Sequence, residues 1–415
     1  MKSEIIENQV LNLIQWLRNE TELSLTNWNI KLKKNLTLDK LETIKKELLK
    51  FGKIQDVSNI NELENSNFTI QIKFELSEYF VNFRFDHQNK LKGLFFFPNN
   101  YELREDIKLP SNIIDIAEEI TSKIGSNKEF LIDSSMLIPL HKTSAMMVMV
   151  QGSGALDKNE NVGNCAPFFD IAVNLVKNNI ASIRFDKRTW VYPFLNMKDP
   201  EEEIINDAVL AANLAYDQLK KNDIPVVLLG HSQGALFLAK IAEKLKYTVS
   251  GFILLAPPAD NDIHNRLIYQ LNYLSGKNPE LHDIYLKKIK EVTLAKRNWE
   301  KCKKSDSNIC DFDDNLIFNK AGEYLKYLES YDPIEEFNKI NIPIFVLQGG
   351  KDYNVLPNKD FLKWKNYVLK SNNRKSVCKL YPHLNHFFYN EDEVKSFNYV
   401  ESIVIKDIVD WVECL

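Results

Sequence analysis

Cysteine, net charge and long apolar runs are all scarce in this chain of 415 residues. Its five cysteines, at positions 165, 302, 310, 378 and 414, are odd in number and widely scattered. That pattern argues against a disulfide framework and fits a reduced, cytoplasmic protein. Cys302 and Cys310 are close enough in sequence to pair or to share a metal, but no further His or Cys gathers beside them, so no metal site is expected. A formal net charge of −4 gives no electrostatic reason for nucleic acid or a membrane surface as partner. No segment approaches the ~18 consecutive apolar residues of a membrane span. The opening stretch MKSEIIENQVLNLIQWLRNE reads as an amphipathic helix carrying acids, not as a signal peptide.

What is present is an ordinary globular composition, 44% hydrophobic and 27% charged, on a chain long enough for two or three units. Residues 1–120 read as an α+β domain. Ile6, Val10, Leu13, Ile14 and Leu17 share one helical face. A second helix is expected next, with Asp39 and Glu42 as a capping box and Gly52 as its stop. FTIQIKFELSEYFVNFRF then alternates apolar and polar residues, as strands with one buried face do. DHQNK at 86–90 is a turn, which leaves His87 solvated, and LKGLFFF is a further strand.

From about residue 125 the pattern changes. Strand-like runs at SAMMVMVQ, ASIRFD, PVVLLG, GFILLA and PIFVLQ are separated by helical stretches, one of them beginning at Asp199 with Pro at its first position and acids in its first turn. Strands alternating with helices imply a mostly parallel sheet covered on both faces. Residues 121–415 are therefore expected to form an α/β domain, with a helical insertion over about 258–335. Sites in such sheets lie beyond the carboxyl ends of the strands.

At one strand end stands Gly230-His231-Ser232-Gln233-Gly234, a G-x-S-x-G sequence between VVLLG and ALFLAKIA. A nucleophile projecting from a tight bend needs small flanking residues, and the following helix aims N–H groups at the place where negative charge develops. A serine hydroxyl also needs a neighbouring base. Of the seven histidines, His231 is expected to point away from Ser232, His87 and His141 precede the active edge, and His264 and His282 fall in the insertion. His386 and His383, in KLYPHLNHFF after the last strand-like run, remain as candidates, with His386 preferred. Asp352 follows the preceding strand through a Gly-Gly turn and is placed to orient the imidazole. The order Ser, Asp, His along the chain is that of α/β-hydrolases. For the oxyanion hole, QGSGALDKNE supplies a backbone N–H at Ser153, with Gly154 as an alternative, and Gln233 supplies a second.

Together these segments resemble the α/β-hydrolase family, specifically its bacterial-type carboxylesterases with a small N-terminal α+β domain. The resemblance covers most of residues 125–415. It rests on QGSGALDKNE, SIRFDKRTWVYP, GHSQGA, LLAPPA, YDPIEEFNKINIPIFVLQGGKDYNV and KLYPHLNHFF. It implies an α/β-hydrolase fold and hydrolysis of carboxylic esters, often with short acyl chains, without a metal or organic cofactor. It also implies Ser232 as nucleophile, Asp352 as acid and His386 as base. Ala155, Lys158 and Asn159 depart from the family's usual Pro, Arg and Asp in the oxyanion loop, His383 stands for Gly, and Gln233 stands for a commoner Leu. These departures bear on substrate choice.

Arg184, Asp186, Lys187 and Arg188 read as a buried ion-pair network tying loops together, with substrate carboxylate binding as the alternative. The insertion reads as a cap over the serine, with Tyr269 and Tyr273 candidates to line an acyl pocket. The expected partner is a small-molecule ester. A thioesterase, peptidase or acyltransferase with the same triad, or a binding protein on an inactive hydrolase scaffold, stays open. The role of the N-terminal domain is open too, between shielding the cap, pairing two copies as a homodimer, and holding a ligand.

Overall fold

The alternation in residues 67–85 has a simple consequence: every second side chain must find a core. The computed structural model describes residues 2–63, 67–98, 107–125, 130–192, 197–219, 224–304, 322–371, 373–393 and 397–415. Its first strands are β1 (Ile54–Val57), β2 (Asn61–Leu63), β3 (Asn67–Phe74), β4 (Glu78–Phe85) and β5 (Leu91–Pro98). All pair antiparallel in the order β1-β3-β4-β5, with β2 on β3. The register sets Phe68 opposite Phe83 and Ile70 opposite Val81, all four buried. Helix α1 (Lys2–Leu17) brings Ile6, Leu13 and Leu17 into the same cluster, as its apolar spacing requires.

Two helices follow α1, not one: α2 (Ile30–Asn35) and α3 (Leu38–Leu48). The expected capping box is not made. Helix α3 starts after Thr37, with no side-chain cap, and the Glu42 carboxylate instead accepts the Trp16 indole N–H at 2.9 Å. Gly52 ends this region at φ +94°, a left-handed conformation that favours glycine. Met1–Glu102, with the short segments Tyr192–Leu195 and Asn278–Ile284, forms one compact unit.

Leu103–Val191, Asn196–Lys277 and Tyr285–Leu415 form the other unit. Its strands are β6 (Ala117–Ile124), β7 (Ile132–Pro139), β8 (Ala145–Val150), β9 (Ile180–Phe185), β10 (Val226–His231), β11 (Gly251–Leu255), β12 (Ile344–Gly349) and β13 (Val377–Tyr381). They make one sheet in the order β13-β12-β11-β10-β8-β9-β7-β6. β7 runs antiparallel to both neighbours, and the pairs from β9 to β13 are parallel. This is the α/β-hydrolase fold. Strands β8, β9, β10 and β12 are buried at every position, which requires helices on both faces. On one face, helix Pro167–Lys177 sets Phe168, Ile171 and Leu175 against Met147, Met149 and Leu229. In the same cluster Val404, Ile408 and Trp411 come from helix Ser402–Glu413.

Between β11 and β12 the chain is helical over Ile263–Lys277, His282–Lys304, Gly322–Ser330 and Pro333–Asn338. Cys378 and Cys414 are free thiols, the Cys165 thiol donates to the Val162 carbonyl at 2.8 Å, and a pairing of Cys302 with Cys310 lies outside the described residues. No described helix is long and apolar enough to cross a membrane.

Candidate active site

Parallel pairing aligns the strand ends. Val150 faces Gly230, His231 faces Leu255, Leu255 faces Leu347, and Gly349 faces Tyr381. The loops leaving these ends therefore emerge along one edge, and they carry Ser153, Ser232, Asp352 and His386.

At Ser232 the backbone turns through φ +50° and ψ −118°, a conformation that costs a non-glycine residue ~1–3 kcal/mol. The bend is pinned by its N–H on the Leu255 carbonyl at 2.8 Å, and helix Gln233–Leu236 begins at once. Neighbouring glycines are dictated by contact. A Cβ on Gly234 would sit 2.2 Å from the Val150 carbonyl oxygen, and one on Gly230 would sit 2.6 Å from the Ala235 backbone.

His386 is buried, and its Nδ1 lies 2.7 Å from Asp352 Oδ2. Asp352 is held from every side: Oδ1 accepts the N–H groups of Asn354 and Val355 at 2.8 Å each, and Oδ2 also accepts Gln348 Nε2 at 2.8 Å. With this carboxylate on Nδ1, the imidazole presents Nε2 to the site. The two loops meet because residue 349 is glycine. A Cβ there would lie 2.2 Å from the Asn385 carbonyl oxygen. His383, the other candidate, is exposed, as are His87, His141 and His282. No hydrogen bond among the described residues joins Ser232 Oγ to His386, and apo catalytic contacts are often loose.

His231 has a role that its sequence position did not reveal. Its ring lies 4.6 Å from the His386 ring, centroid to centroid, and its Nε2 is 3.0 Å from the His386 carbonyl oxygen. A carbonyl can only accept, so Nε2 carries a hydrogen. Nδ1 meets Glu160 Oε1 at 2.8 Å, a contact that needs a second proton shared between ring and carboxylate. Burial pulls the His231 pKa down, but the charge and hydrogen bond of Glu160, the His386 carbonyl and the charge of Asp352 outweigh it and leave the pKa raised. Glu160 Oε1 also accepts the Gly152 N–H at 2.7 Å. One buried ion pair thus ties together the loop of Gly152, the serine bend and the histidine loop.

Ser153 is exposed at the start of the 152–160 loop, with Gly154 beyond it at φ +96°. A Cβ on Gly152 would fall 3.2 Å from Ser232 Cβ, so this loop lies directly against the serine. Neither Ser153 N–H nor Gln233 N–H has an acceptor among the described residues. The DKR cluster goes to the protein. Arg188 forks onto Asp207, with Nε to Oδ2 at 3.0 Å, and Arg184 bonds Asn159 and Ser135. Asp186 accepts the Lys158 N–H at 2.8 Å, and burial lifts its pKa to about 6 against the opposing charge of Lys158. Lys187 donates to the Gly152 carbonyl at 2.9 Å. Tyr273 stacks on Tyr353, next to Asp352, with centroids 4.4 Å apart, whereas Tyr269 is exposed. Among the described residues, no group of three or more His, Cys, Asp or Glu could hold a metal ion.

Comparison with known proteins gives this edge its context. An esterase of Thermotoga maritima, EstD, is 27% identical over 429 aligned positions, covering 98% of this chain and 95% of that protein. Among solved structures, a carboxyl esterase from Bacillus coagulans in complex with glycerol has 16% identity and a TM-score of 0.49, over 72% of this chain and 98% of that one. An esterase of Pyrococcus furiosus has 13% identity and a TM-score of 0.47, over 76% and 98%. The family model described as serine aminopeptidase, S33 (Hydrolase_4) matches residues 165–393, from before the serine bend to just beyond the histidine loop and over more than half of the chain. The chain belongs to this serine aminopeptidase S33 family of α/β-hydrolases.

Proposed function

We propose that the chain is a carboxylic ester hydrolase working through Ser232, His386 and Asp352, on small esters with short acyl groups. The observation that carries this reading is the 2.7 Å contact of His386 with a fully satisfied, buried Asp352, on the same sheet edge as a serine held at positive φ. The named activity of the Thermotoga maritima relative, matched along nearly the whole chain, supports it.

In this mechanism Ser232 Oγ attacks the ester carbonyl carbon while His386 Nε2 takes the hydroxyl proton. The carbonyl π pair moves to oxygen, and that oxyanion is received by the N–H groups of Ser153 and Gln233. Collapse expels the alcohol, which leaves with the proton from His386. Water, deprotonated by the same imidazole, then releases the acid and restores the serine. Asp352 holds the ring in the required tautomer and offsets the charge it acquires. The helices between residues 258 and 335 serve as the cap that excludes water and selects the acyl group.

The family's description as a serine aminopeptidase favours a second reading, an amide as acyl donor. Both are tested on the whole chain with a panel of matched short-chain esters, thioesters and amino-acid amides. Ester turnover should dominate and should fall on the order of 10⁶-fold in Ser232→Ala. Preferential amide turnover would transfer the assignment to peptide bonds, and an unchanged rate in the folded variant would remove the serine from the mechanism.

A further inference from the structure

Lys187 and Glu203 are both about 2% exposed and lie 3.4 Å apart, a placement costly in solvation. Replacing such a pair by apolar residues is often neutral or stabilising, so its presence calls for something beyond stability. The geometry supplies it. Lys187 Nζ donates to the Gly152 carbonyl at 2.9 Å, and Gly152 O and Ser153 N are the two ends of one peptide group. A cation on the carbonyl draws electron density toward oxygen and makes the N–H at the other end a stronger donor. Glu160 fixes the preceding peptide through the Gly152 N–H, so the group is held at both sides.

The other carboxylate oxygen of Glu203 leads elsewhere. It accepts the hydroxyl of Tyr324, itself fully buried on helix Gly322–Ser330, and Tyr324 accepts Gln233 Nε2 at 2.9 Å. Burial, and then the charge of Glu203, hold the Tyr324 pKa well above its usual value, so the hydroxyl keeps its proton. The path Gly152–Lys187–Glu203–Tyr324–Gln233 therefore begins at the peptide bearing one oxyanion donor and ends on the residue bearing the other. It passes through a residue of the helical insertion.

We infer that Lys187 is a positioning residue for the oxyanion site, polarising and orienting the Gly152–Ser153 peptide, and that Tyr324 links this setting to the cap. The inference rests on the serine-esterase reading above. It is tested in the full chain with Lys187→Met, Lys187→Arg and Tyr324→Phe. The readouts are kcat, KM and the inhibition constant of a trifluoromethyl ketone, which mimics the tetrahedral adduct.

Direct loss of an oxyanion donor costs about 10²–10³ in turnover, and a group acting through the donor should cost less. Lys187→Met should lower kcat about 10- to 100-fold with KM nearly unchanged, and should weaken the ketone by the same factor. Lys187→Arg should recover part of both, and Tyr324→Phe should show the same parallel loss at about 3- to 10-fold. A folded Lys187→Met enzyme with wild-type kcat and ketone affinity would overturn the inference, and so would a loss confined to KM. If Lys187→Met does not fold, Tyr324→Phe decides: unchanged ketone affinity overturns the proposal. If wild-type chain neither turns over esters nor binds the ketone, it is the esterase reading that fails.

Discussion

The antiparallel sheet of residues 54–98 and the larger, mostly parallel sheet of residues 117–381 meet the demands of burial differently. In the first, one face is apolar and the other looks outward, and among the described residues of its unit only Gln9 and Lys45 are buried polar groups. In the second, buried Glu160, Arg184, Asp186, Lys187, Arg188, Glu203, Asp207, His231, Asp352 and His386 gather toward the carboxyl ends of the buried strands. Charge is costly to desolvate and is retained where partners compensate for it. The small unit is built like a structural module, and the large one concentrates its buried charge where chemistry is proposed.

Three substitutions would break or sharpen that contrast. The largest effect is expected of Gly234→Ala, whose methyl carbon would lie 2.2 Å from a backbone oxygen. It should destabilise the large unit by about 4 kcal/mol or more and abolish ester turnover, seen by calorimetry and rate assay. Next, Phe83→Ala opens a cavity in the core of the small unit and should cost about 3–5 kcal/mol there. Turnover per folded molecule should be unchanged, and a fall in kcat would erase the proposed division of labour. The smallest effect concerns pH. Asp186 holds its proton up to about 6 when folded, above the usual 3.8, so the native state binds the proton more tightly than the unfolded chain does. Its burial therefore costs stability increasingly as pH rises from about 4 to about 6, and fully above that. Asp186→Asn should melt higher than wild type at neutral pH, with the gap closing toward pH ~4.

Much of this architecture could be read from the sequence. Runs such as VVLLG and GFILL admit no polar face, and each ends where a turn must begin, so the strands and the residues after them were legible. β6 and β7 were not. Half of β6 is exposed, and β7 buries Ser134 and Ser135, with the Ser134 hydroxyl donating to the Ser122 carbonyl. No local period marks such strands.

The candidate triad was legible because each member follows a strand. The residues that hold it were not, since their roles depend on distant partners. Glu203 reads as an acid placed for a helix dipole, yet the first turn is a π-helical segment, Glu201–Ile205, that buries it against Lys187. His231 looks idle beside the serine until Glu160, 71 residues earlier, and the His386 carbonyl, 155 residues later, are brought to it.

The central claim is that a strained serine on one strand end is activated by the imidazole and carboxylate delivered from two others. A fluorophosphonate reports on that activation directly. Mass spectrometry of the intact, full-length chain followed by peptide mapping should find one adduct, on the peptide containing Ser232, formed slowly or not at all in His386→Ala. Labelling that is absent, falls on another residue, or proceeds at the same rate without His386 would contradict the account.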